Sequence, residues 1–301
     1  MLSPKPVHPG DVLRMIAISG VFHDEDPDAC VERAARRVEA LGYRVIVDES
    51  CYARYGYLSG TDEARARTLE RAFLDPESDG VICMKGGYGC IRMMHLVDWE
   101  RIAAHPKAFV GFSDITTVHL QLQKMGMVSF HGPMGSSSVV GDAARAGLQR
   151  ALAGEDFELR NPDGTPLKTM FPGTAEGILT GGNLSLLAAA CGTPGMPDMH
   201  GRILLIEEIG EKVYAIDRMM HQLKLCGVFR DVAGVVFGGF TDCEEEYPDS
   251  FHLMDVLQDV LADTALPVVT GLNAGHVAHA LTVPLGRKAR LDAGAGRLFV
   301  I

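Results

Sequence analysis

Short apolar runs alternate with amphipathic segments along the first half of the chain. The apolar runs predict five strands, at 12–19, 43–47, 80–84, 108–110 and 127–130. After the first run, Asp26-Pro27 opens a predicted helix, because Asp is a favoured N-cap and Pro a favoured first helical residue. Strands and helices that alternate with short connections are typical of a doubly wound parallel sheet, which binds ligands beyond the carboxyl ends of its strands.

Turn-forming residues interrupt this alternation at 154–174, where Asn161-Pro162-Asp163-Gly164 lies. We interpret this segment as a linker between an N-terminal domain, 1–153, and a C-terminal domain, 175–301. In the second domain, Gly181-Gly182-Asn183 predicts a turn between a strand and a helix. Three short antiparallel strands are predicted near the end of the chain, at 281–283, 288–291 and 297–301.

Composition narrows the class of protein. With 47% hydrophobic and 22% charged residues, the chain of 301 residues is typical of a soluble globular protein. Its formal charge of -11 argues against nucleic-acid and anionic-membrane partners, which need a basic surface. No apolar run approaches the ~18 residues of a membrane span, so we expect a cytoplasmic enzyme. Seven cysteines without a CxxC pair indicate neither a disulfide framework nor a metal site.

The stretch from Ala108 to Thr117 predicts a strand that turns sharply into a helix, with Gly111 and Ser113 at the turn. Such a turn exposes a serine hydroxyl at the top of a sheet, where free N–H groups of the helix can stabilise a negatively charged oxygen. Ser113 is therefore a candidate nucleophile. The G-x-S-x-G pattern is incomplete at its second glycine, and the alternative is that Ser113 only caps the helix.

A second candidate feature is the glycine loop, Lys85-Gly86-Gly87-Tyr88-Gly89, which follows the predicted strand at 80–84. Glycines in such a loop indicate either a backbone that approaches a ligand closely or a tight turn without a ligand. Neither glycine motif for phosphate binding is present, so a nucleotide cofactor is not indicated. A donor of hydrogen bonds to an oxyanion fits this loop better.

A serine nucleophile needs a base within hydrogen-bonding reach. Among the eleven histidines, His276 ends a glycine-bounded loop directly after a predicted strand, where side chains are presented rather than packed. His131 follows a strand at the same sheet edge and is a candidate for positioning substrate. His119 lies six residues after Ser113 on a predicted helix that faces it away, so we interpret it as a helix-face residue.

The base in turn needs an acid that orients it. Glu207 is the first polar residue after the apolar run 203–206, and a carboxylate at a strand end is well placed to hold an imidazole in one tautomer. The alternative is that Glu207 and Glu208 are two exposed loop acids.

Seven short motifs are spread over almost the whole chain. They are Gly86-Gly87-Tyr88-Gly89, Gly111-Phe112-Ser113-Asp114, His131-Gly132-Pro133, Gly181-Gly182-Asn183-Leu184, Leu205-Ile206-Glu207-Glu208, Ile216-Asp217-Arg218-Met219, and Gly275-His276 with Thr282-Val283-Pro284-Leu285-Gly286. Together, and in this order, they resemble the LD-carboxypeptidase family of serine peptidases, whose relatives include the microcin C immunity-type peptidases.

The resemblance implies a catalytic triad in which Ser113 is the nucleophile, Glu207 the orienting acid and His276 the general base. It implies an oxyanion hole made by the backbone N–H groups of Gly87 and Asp114. It also implies a flavodoxin-like N-terminal domain, a smaller, mostly β C-terminal domain, a cleft between them and a homodimer.

Two departures from the family pattern concern substrate binding, for which we expect contacts from Lys85, His131 and Asn183. Lys85 stands where Arg is usual, and Phe112 stands where Tyr is common. Lysine lacks the bidentate geometry with which arginine binds a carboxylate, so the contact with a substrate carboxylate is weaker or is made elsewhere.

The activity implied by the resemblance is a two-step acyl transfer that needs no metal or cofactor. The implied substrate is a murein tetrapeptide, from which the enzyme releases a terminal D-alanine. One alternative keeps the chemistry and makes the chain an immunity-type peptidase that hydrolyses peptidyl or aminoacyl nucleotides. The other is a non-enzymatic ligand-binding module on the same scaffold.

Overall fold

Two β-sheets with packed helices make up the computed structural model, which describes residues 2–137, 140–245, 247 and 249–301. The strands are β1 Val12–Ile16, β2 Arg44–Val47, β3 Gly80–Cys83, β4 Ala108–Gly111, β5 Ser129–His131, β6 Phe157–Glu158, β7 Lys168–Phe171, β8 Thr174–Asn183, β9 Ile203–Ile209, β10 Gly234–Thr241, β11 Val268–Thr270, β12 Val283–Leu285, β13 Lys288–Asp292 and β14 Arg297–Val300. The α-helices are α1 Pro27–Ala40, α2 Asp62–Leu74, α3 Cys90–Met93, α4 Trp99–Ala103, α5 Thr116–Lys124, α6 Asp142–Leu152, α7 Leu184–Ala190, α8 Val213–Leu225, α9 Val228–Asp231 and α10 Leu253–Leu261.

The first sheet has the strand order β12-β5-β4-β3-β1-β2. Strands β1 to β5 run parallel, and helices cover both faces, with Val38 of α1 buried on one side and Leu69 of α2 on the other. Helix α1 begins as predicted, because the Asp26 side chain accepts a hydrogen bond from the Ala29 N–H at 3.0 Å. The prediction of a doubly wound parallel sheet is therefore confirmed.

The second sheet has the order β6-β14-β13-β8-β9-β10-β11-β7, and its central strands β8 to β11 run parallel. Helices α7, α8 and α10 pack over Leu204 and Ile206 on one face of β9. Ile203 and Leu205 on the opposite face join a buried core that also contains residues of the first sheet. Because side chains alternate along a strand, Glu207 lies on this second face and is directed towards the first sheet.

The predicted turn at Gly181-Gly182-Asn183 is wrong, because these residues form the end of β8. A Cβ atom on Gly181 would come within 2.0 Å of the Leu205 carbonyl oxygen, and one on Gly182 within 2.6 Å of Thr116 Oγ1. The two glycines therefore do not make a turn. They allow β8 to lie close against β9 and α5, where a residue with a Cβ atom would not fit.

The two halves of the chain are interleaved in the sheets. The segment predicted as a linker contributes β6 and β7 to opposite edges of the second sheet. Strand β12, from near the end of the chain, pairs antiparallel with β5 and forms an edge of the first sheet. The division into domains 1–153 and 175–301 stays a prediction. Among the described residues, no helix has both the length and the apolar character that a membrane crossing needs.

Candidate active site

Ser113 stands at a sharp turn between β4 and α5, as the sequence predicts. Its φ is +65°, a backbone conformation that costs energy for a residue other than glycine. A 3-10 helix, Ser113–Ile115, follows and leads directly into α5. Gly111 allows this turn, because a Cβ atom there would lie 2.9 Å from Ile115 Cγ2. The strained serine is half-buried, as a nucleophile at the rim of a cleft would be.

The glycine loop lies directly against this turn. A Cβ atom on Gly86 would come within 2.7 Å of Ser113 Cβ and 2.9 Å of Ser113 Oγ, so only glycine allows the loop to pass the hydroxyl. Gly87 is exposed and has a φ of +125°. The Gly86 carbonyl accepts a hydrogen bond from the Gly20 N–H at 3.2 Å, which ties the glycine loop to the segment that follows β1. Thus two segments predicted to donate to an oxyanion are adjacent.

Glu207 and His276 form a close pair. The imidazole Nδ1 lies 2.7 Å from Glu207 Oε2, and the His276 backbone N–H donates to the same oxygen at 3.2 Å. The Glu207 side chain is fully buried, whereas that of His276 is 16% exposed and reaches the surface of the cleft. Neither Glu207 nor Glu208 is an exposed loop acid, because both are buried on β9.

The loop that carries His276 depends on the residue before it. Gly275 has a φ of +95°, and a Cβ atom there would come within 2.3 Å of Glu207 Oε2. Burial alone would raise the pKa of Glu207, but the imidazoles of His131 and His276 outweigh burial and lower that pKa to about 2. The carboxylate is therefore charged at neutral pH and can accept a hydrogen bond from Nδ1–H of His276.

Phe112 connects the serine turn with the histidine. Its ring packs edge-on against the His276 imidazole, with the ring centroids 4.8 Å apart, and Phe112 directly precedes Ser113. The side-chain hydrogen bond of His276 goes to Glu207, and none joins His276 to the Ser113 hydroxyl in the part of the chain that the structure describes. Catalytic hydrogen bonds are often long in ligand-free enzymes and shorten when substrate binds.

A cleft of about 400 Å³ opens beside His276. Its walls include Phe112, Ser136, Ile209 and Val277, so an apolar surface with a few hydroxyl groups faces the imidazole. A larger cavity of about 650 Å³ is lined by the salt-bridged Arg14 and its neighbours. Because that cavity contains none of the predicted catalytic residues, the smaller cleft is the better candidate for a substrate site.

Comparison with known proteins identifies the family. Residues 13–132 match the LD-carboxypeptidase N-terminal domain, and residues 176–291 match the LD-carboxypeptidase C-terminal domain. A probable murein peptide carboxypeptidase of Bacillus subtilis is 36% identical over 96% of this chain and 91% of its own. The chain belongs to the LD-carboxypeptidase family. It is therefore a hydrolase of a serine peptidase family, and the alternative of a non-enzymatic binding module is not supported.

Solved structures agree with this LD-carboxypeptidase assignment. The muramoyltetrapeptide carboxypeptidase of Oxalobacter formigenes is 30% identical, covers 96% of this chain and 97% of its own, and gives a TM-score of 0.82. The microcin C7 self-immunity protein MccF gives a TM-score of 0.90 at 22% identity, over 100% of this chain and 98% of that one. The second likeness shows the fold alone, and it confirms the overall architecture.

His131 occupies an unexpected position for an LD-carboxypeptidase residue predicted to contact substrate. Its side chain is 1% exposed, and Nε2 lies 3.7 Å from Glu207 Oε1, on the side of the carboxylate away from His276. Both ring nitrogens and that carboxylate oxygen are buried without a hydrogen-bond partner among the described residues. His131 thus lies behind the acid rather than in the cleft, and its predicted contact with substrate stays untested.

The two other predicted substrate contacts are also engaged with the protein. Lys85 is half-buried, donates a hydrogen bond to the Val21 carbonyl at 2.8 Å and lies over the Phe22 ring, and burial lowers its pKa. Asn183 is buried as the N-cap of α7, and its amide donates to Glu208 Oε1 at 2.7 Å. Each of these hydrogen bonds uses only one of the N–H donors of its side chain, and both roles in substrate binding stay predictions.

His119 supports the site in a way that the sequence does not reveal. It is buried rather than on an open helix face, and its Nε2 donates to the Gly111 carbonyl at 2.8 Å while its Nδ1 lies 2.8 Å from the Ser129 hydroxyl. Burial lowers the pKa of His119 to about 3, so the ring is neutral. Its position six residues after Ser113 predicted a side chain directed away from the serine. The contacts with Gly111 and Ser129 arise because β4 and β5 are neighbours in the sheet, which the local sequence does not show.

No cluster of three or more His, Cys, Asp or Glu side chains suited to a metal ion occurs in the described ranges.

Proposed function

We propose that this LD-carboxypeptidase releases the terminal D-alanine of a murein tetrapeptide through a Ser113-Glu207-His276 triad. The observation that carries the proposal is the 2.7 Å contact between His276 Nδ1 and Glu207 Oε2, next to the strained turn at Ser113. The substrate class is supported by two relatives that are named for murein peptides, at 36% and 30% identity.

The proton inventory of the triad follows from the Glu207 pair. Because the ionised carboxylate accepts a hydrogen bond from Nδ1–H of His276, the lone pair of Nε2 is free to take the proton of Ser113. Ser113 Oγ then bonds to the peptide carbonyl carbon, and the proton passes from Nε2 to the nitrogen of the departing D-alanine. Water next attacks the acyl-enzyme with His276 again as base, which restores the serine.

The developing negative charge on the carbonyl oxygen needs fixed donors. We assign this role to the N–H groups of Gly87 and Asp114, since the glycine loop lies against Ser113 and Asp114 follows it in the turn. Loss of one such donor costs roughly 10²–10³-fold in kcat in serine hydrolases.

The experiment is incubation of the purified protein with a murein tetrapeptide that ends in D-alanine, followed by mass spectrometry for the tripeptide and free D-alanine. Ser113→Ala is expected to lower kcat by about 10⁴-fold or more. Ser78→Ala is the matched control, because Ser78 is a buried serine that accepts a hydrogen bond from Lys107 outside the cleft. Release of D-alanine by Ser113→Ala at the wild-type rate would refute the triad.

An aminoacyl sulfamoyl adenylate tested in parallel addresses the immunity-type alternative. Faster turnover of the adenylate than of the tetrapeptide would keep the triad and replace the substrate. A substrate preference for the tetrapeptide would support the proposal as stated.

The family resemblance also leads us to propose a homodimer that acts in the cytoplasm on peptides released during murein turnover. Sedimentation of the purified protein and fractionation of the producing cells test these two points separately from the activity.

A further inference from the structure

The peptide group between Gly89 and Cys90, at the end of the glycine loop, is held from both sides. Its carbonyl oxygen accepts a hydrogen bond from Arg65 Nη1 at 2.8 Å, and its N–H donates to Asp114 Oδ2 at 2.9 Å. Both side chains that hold it are buried, Arg65 at 0% and Asp114 at 1% exposure. Two buried charged side chains on one peptide group are expensive to desolvate, which calls for an explanation beyond loop stability.

The Asp114 carboxylate connects three segments. Besides the Cys90 N–H, Oδ2 accepts a hydrogen bond from the Ser19 hydroxyl at 2.6 Å. Ser19 follows β1, Cys90 follows the glycine loop, and Asp114 itself directly follows the proposed nucleophile. One carboxylate oxygen therefore links the serine turn to the glycine loop and to the segment that follows β1.

Arg65 anchors the same loop to the rest of the sheet. Its guanidinium also donates to the Ile18 carbonyl at 2.9 Å and to Asp62. Gly89 has a φ of +124°, and a Cβ atom there would lie 2.9 Å from Arg65 Nη1, so glycine is needed for this close approach. The bond from Arg65 thus fixes the loop at the residue before the one that Asp114 holds.

We propose that the Asp114 carboxylate and Arg65 are positioning groups that lock the glycine loop to the serine turn, so that the Gly87 and Asp114 N–H groups converge on one oxyanion. This inference rests on the proposed function of those N–H groups. The two donors belong to segments far apart in the sequence, and the Asp114 side chain is the direct link between them. A rigid link matters because a misplaced donor loses most of its effect on the transition state.

The geometry predicts which property of Asp114 is needed. Both hydrogen bonds end on Oδ2, so an asparagine with its carbonyl oxygen at that position accepts both and keeps the lock without a charge. We expect Asp114→Asn to retain kcat within about 10-fold, and Asp114→Ala to lose about 10²-fold in kcat with little change in KM. This difference separates a positioning role from a general loss of folded protein.

The experiment measures kcat and KM for the tetrapeptide and, independently of the substrate, the rate at which a small fluorophosphonate labels Ser113. Labelling needs the nucleophile and the oxyanion hole but no murein recognition. We expect the Asp114→Ala labelling rate to fall by the same factor as kcat. Asp48→Ala is the matched control, because Asp48 is a buried acid that caps a 3-10 helix after β2, and we expect lower thermal stability with unchanged kcat.

If Asp114→Ala does not fold, Ser19→Ala replaces it, with an expected loss of about 3- to 10-fold in kcat and in labelling. Wild-type kcat and labelling rates in folded Asp114→Ala, or in Ser19→Ala where it replaces that variant, would overturn the proposal. An equal loss of kcat in Asp114→Asn and Asp114→Ala would also overturn it. Labelling without tetrapeptide turnover would reject the proposed substrate while still testing the lock. A wild-type protein that is not labelled would overturn both, since the lock would have no oxyanion to serve.

Discussion

Glu207 and Glu208 are consecutive and both buried, yet their surroundings differ in kind. Glu207 faces two imidazoles, His276 at 2.7 Å and His131 at 3.7 Å. Glu208 faces the opposite side of β9, where its carboxylate oxygens accept four hydrogen bonds from neutral groups at 2.6 to 2.8 Å. The donors are the Asn183 amide, the N–H and the hydroxyl of Ser185, and the N–H of Ile209. Because successive side chains of a strand point to opposite faces of the sheet, two identical side chains next to each other in the sequence have different surroundings.

The comparison shows that one face of β9 carries a carboxylate in a structural role, whereas the other face carries a carboxylate that contacts the proposed catalytic base. Glu208 has as many hydrogen bonds as a carboxylate can accept and holds the start of α7, so its environment is complete. Glu207 retains an oxygen without a hydrogen-bond partner among the described residues, and its other oxygen contacts a group that can exchange protons. An environment left incomplete, with a titratable neighbour, is typical of an active site.

The largest effect is expected from Glu207→Gln. The amide offers His276 either a donor or an acceptor and no longer stabilises the imidazolium, so we expect kcat to fall about 10³- to 10⁴-fold with KM little changed. Steady-state kinetics on the tetrapeptide measure this. Glu208→Gln is the matched variant on the other face of β9: there we expect kcat within about 3-fold and a loss of about 1–3 kcal/mol in the free energy of unfolding. Similar losses of kcat in both variants would remove the distinction between the two faces.

A smaller effect on kcat is expected from Gly275→Ala. This variant tests whether Glu207 needs the space that the missing Cβ atom of Gly275 leaves beside it. The added Cβ atom would come within 2.3 Å of Glu207 Oε2, so the carboxylate must move away from His276. We expect kcat to fall about 10²-fold, because misplacement of a catalytic group by about 1 Å costs on this order. Gly271→Ala in the same loop is the control: its φ of +83° is also positive, but no atom lies within 4 Å of the new Cβ. Equal kcat values in the two variants would contradict the argument from space.

The smallest effect is expected in the pH dependence of stability. The pKa of Glu207 in the folded protein is about 2, below its ordinary value of 4.5. Its contribution to stability is therefore fully present above about pH 4.5 and is lost as the pH falls towards 2. We expect the difference in unfolding free energy between wild type and Glu207→Gln, measured in urea, to shrink over this interval. A difference that is constant with pH would mean that the folded protein does not hold Glu207 ionised.

Local sequence patterns predicted several elements of the fold, including two that carry proposed catalytic residues. The apolar run before Glu207, the Asp26-Pro27 helix start and the strand-to-helix turn at Ser113 each depend on neighbouring residues, and each is confirmed. The pairing of Glu207 with His276, 69 residues apart, came from the family resemblance, because local patterns left the acid and the base as separate candidates. Their catalytic roles stay predictions.

Contacts between distant segments were beyond the reach of local patterns. Gly181 and Gly182 read as a turn because the sequence does not show that β9 and α5 leave no room for a Cβ atom. The buried position of His131 beside Glu207 was hidden for the same reason, because a strand end suggests exposure; its contact with substrate stays a prediction. The lock at Gly89–Cys90 had no local signal at all, since Arg65, Asp114 and Ser19 meet only in the folded chain.

Strand β12 is the last strand of the first sheet to be synthesised, and it covers the edge of β5. It pairs with β5 through Val283 to Leu285, about 150 residues further along the chain, so the ribosome must add these residues before this edge is covered. Until then β5 is an open edge, the kind of surface on which nascent chains associate wrongly. A chain truncated before β12 would keep Ser113 and the glycine loop yet leave that edge exposed permanently.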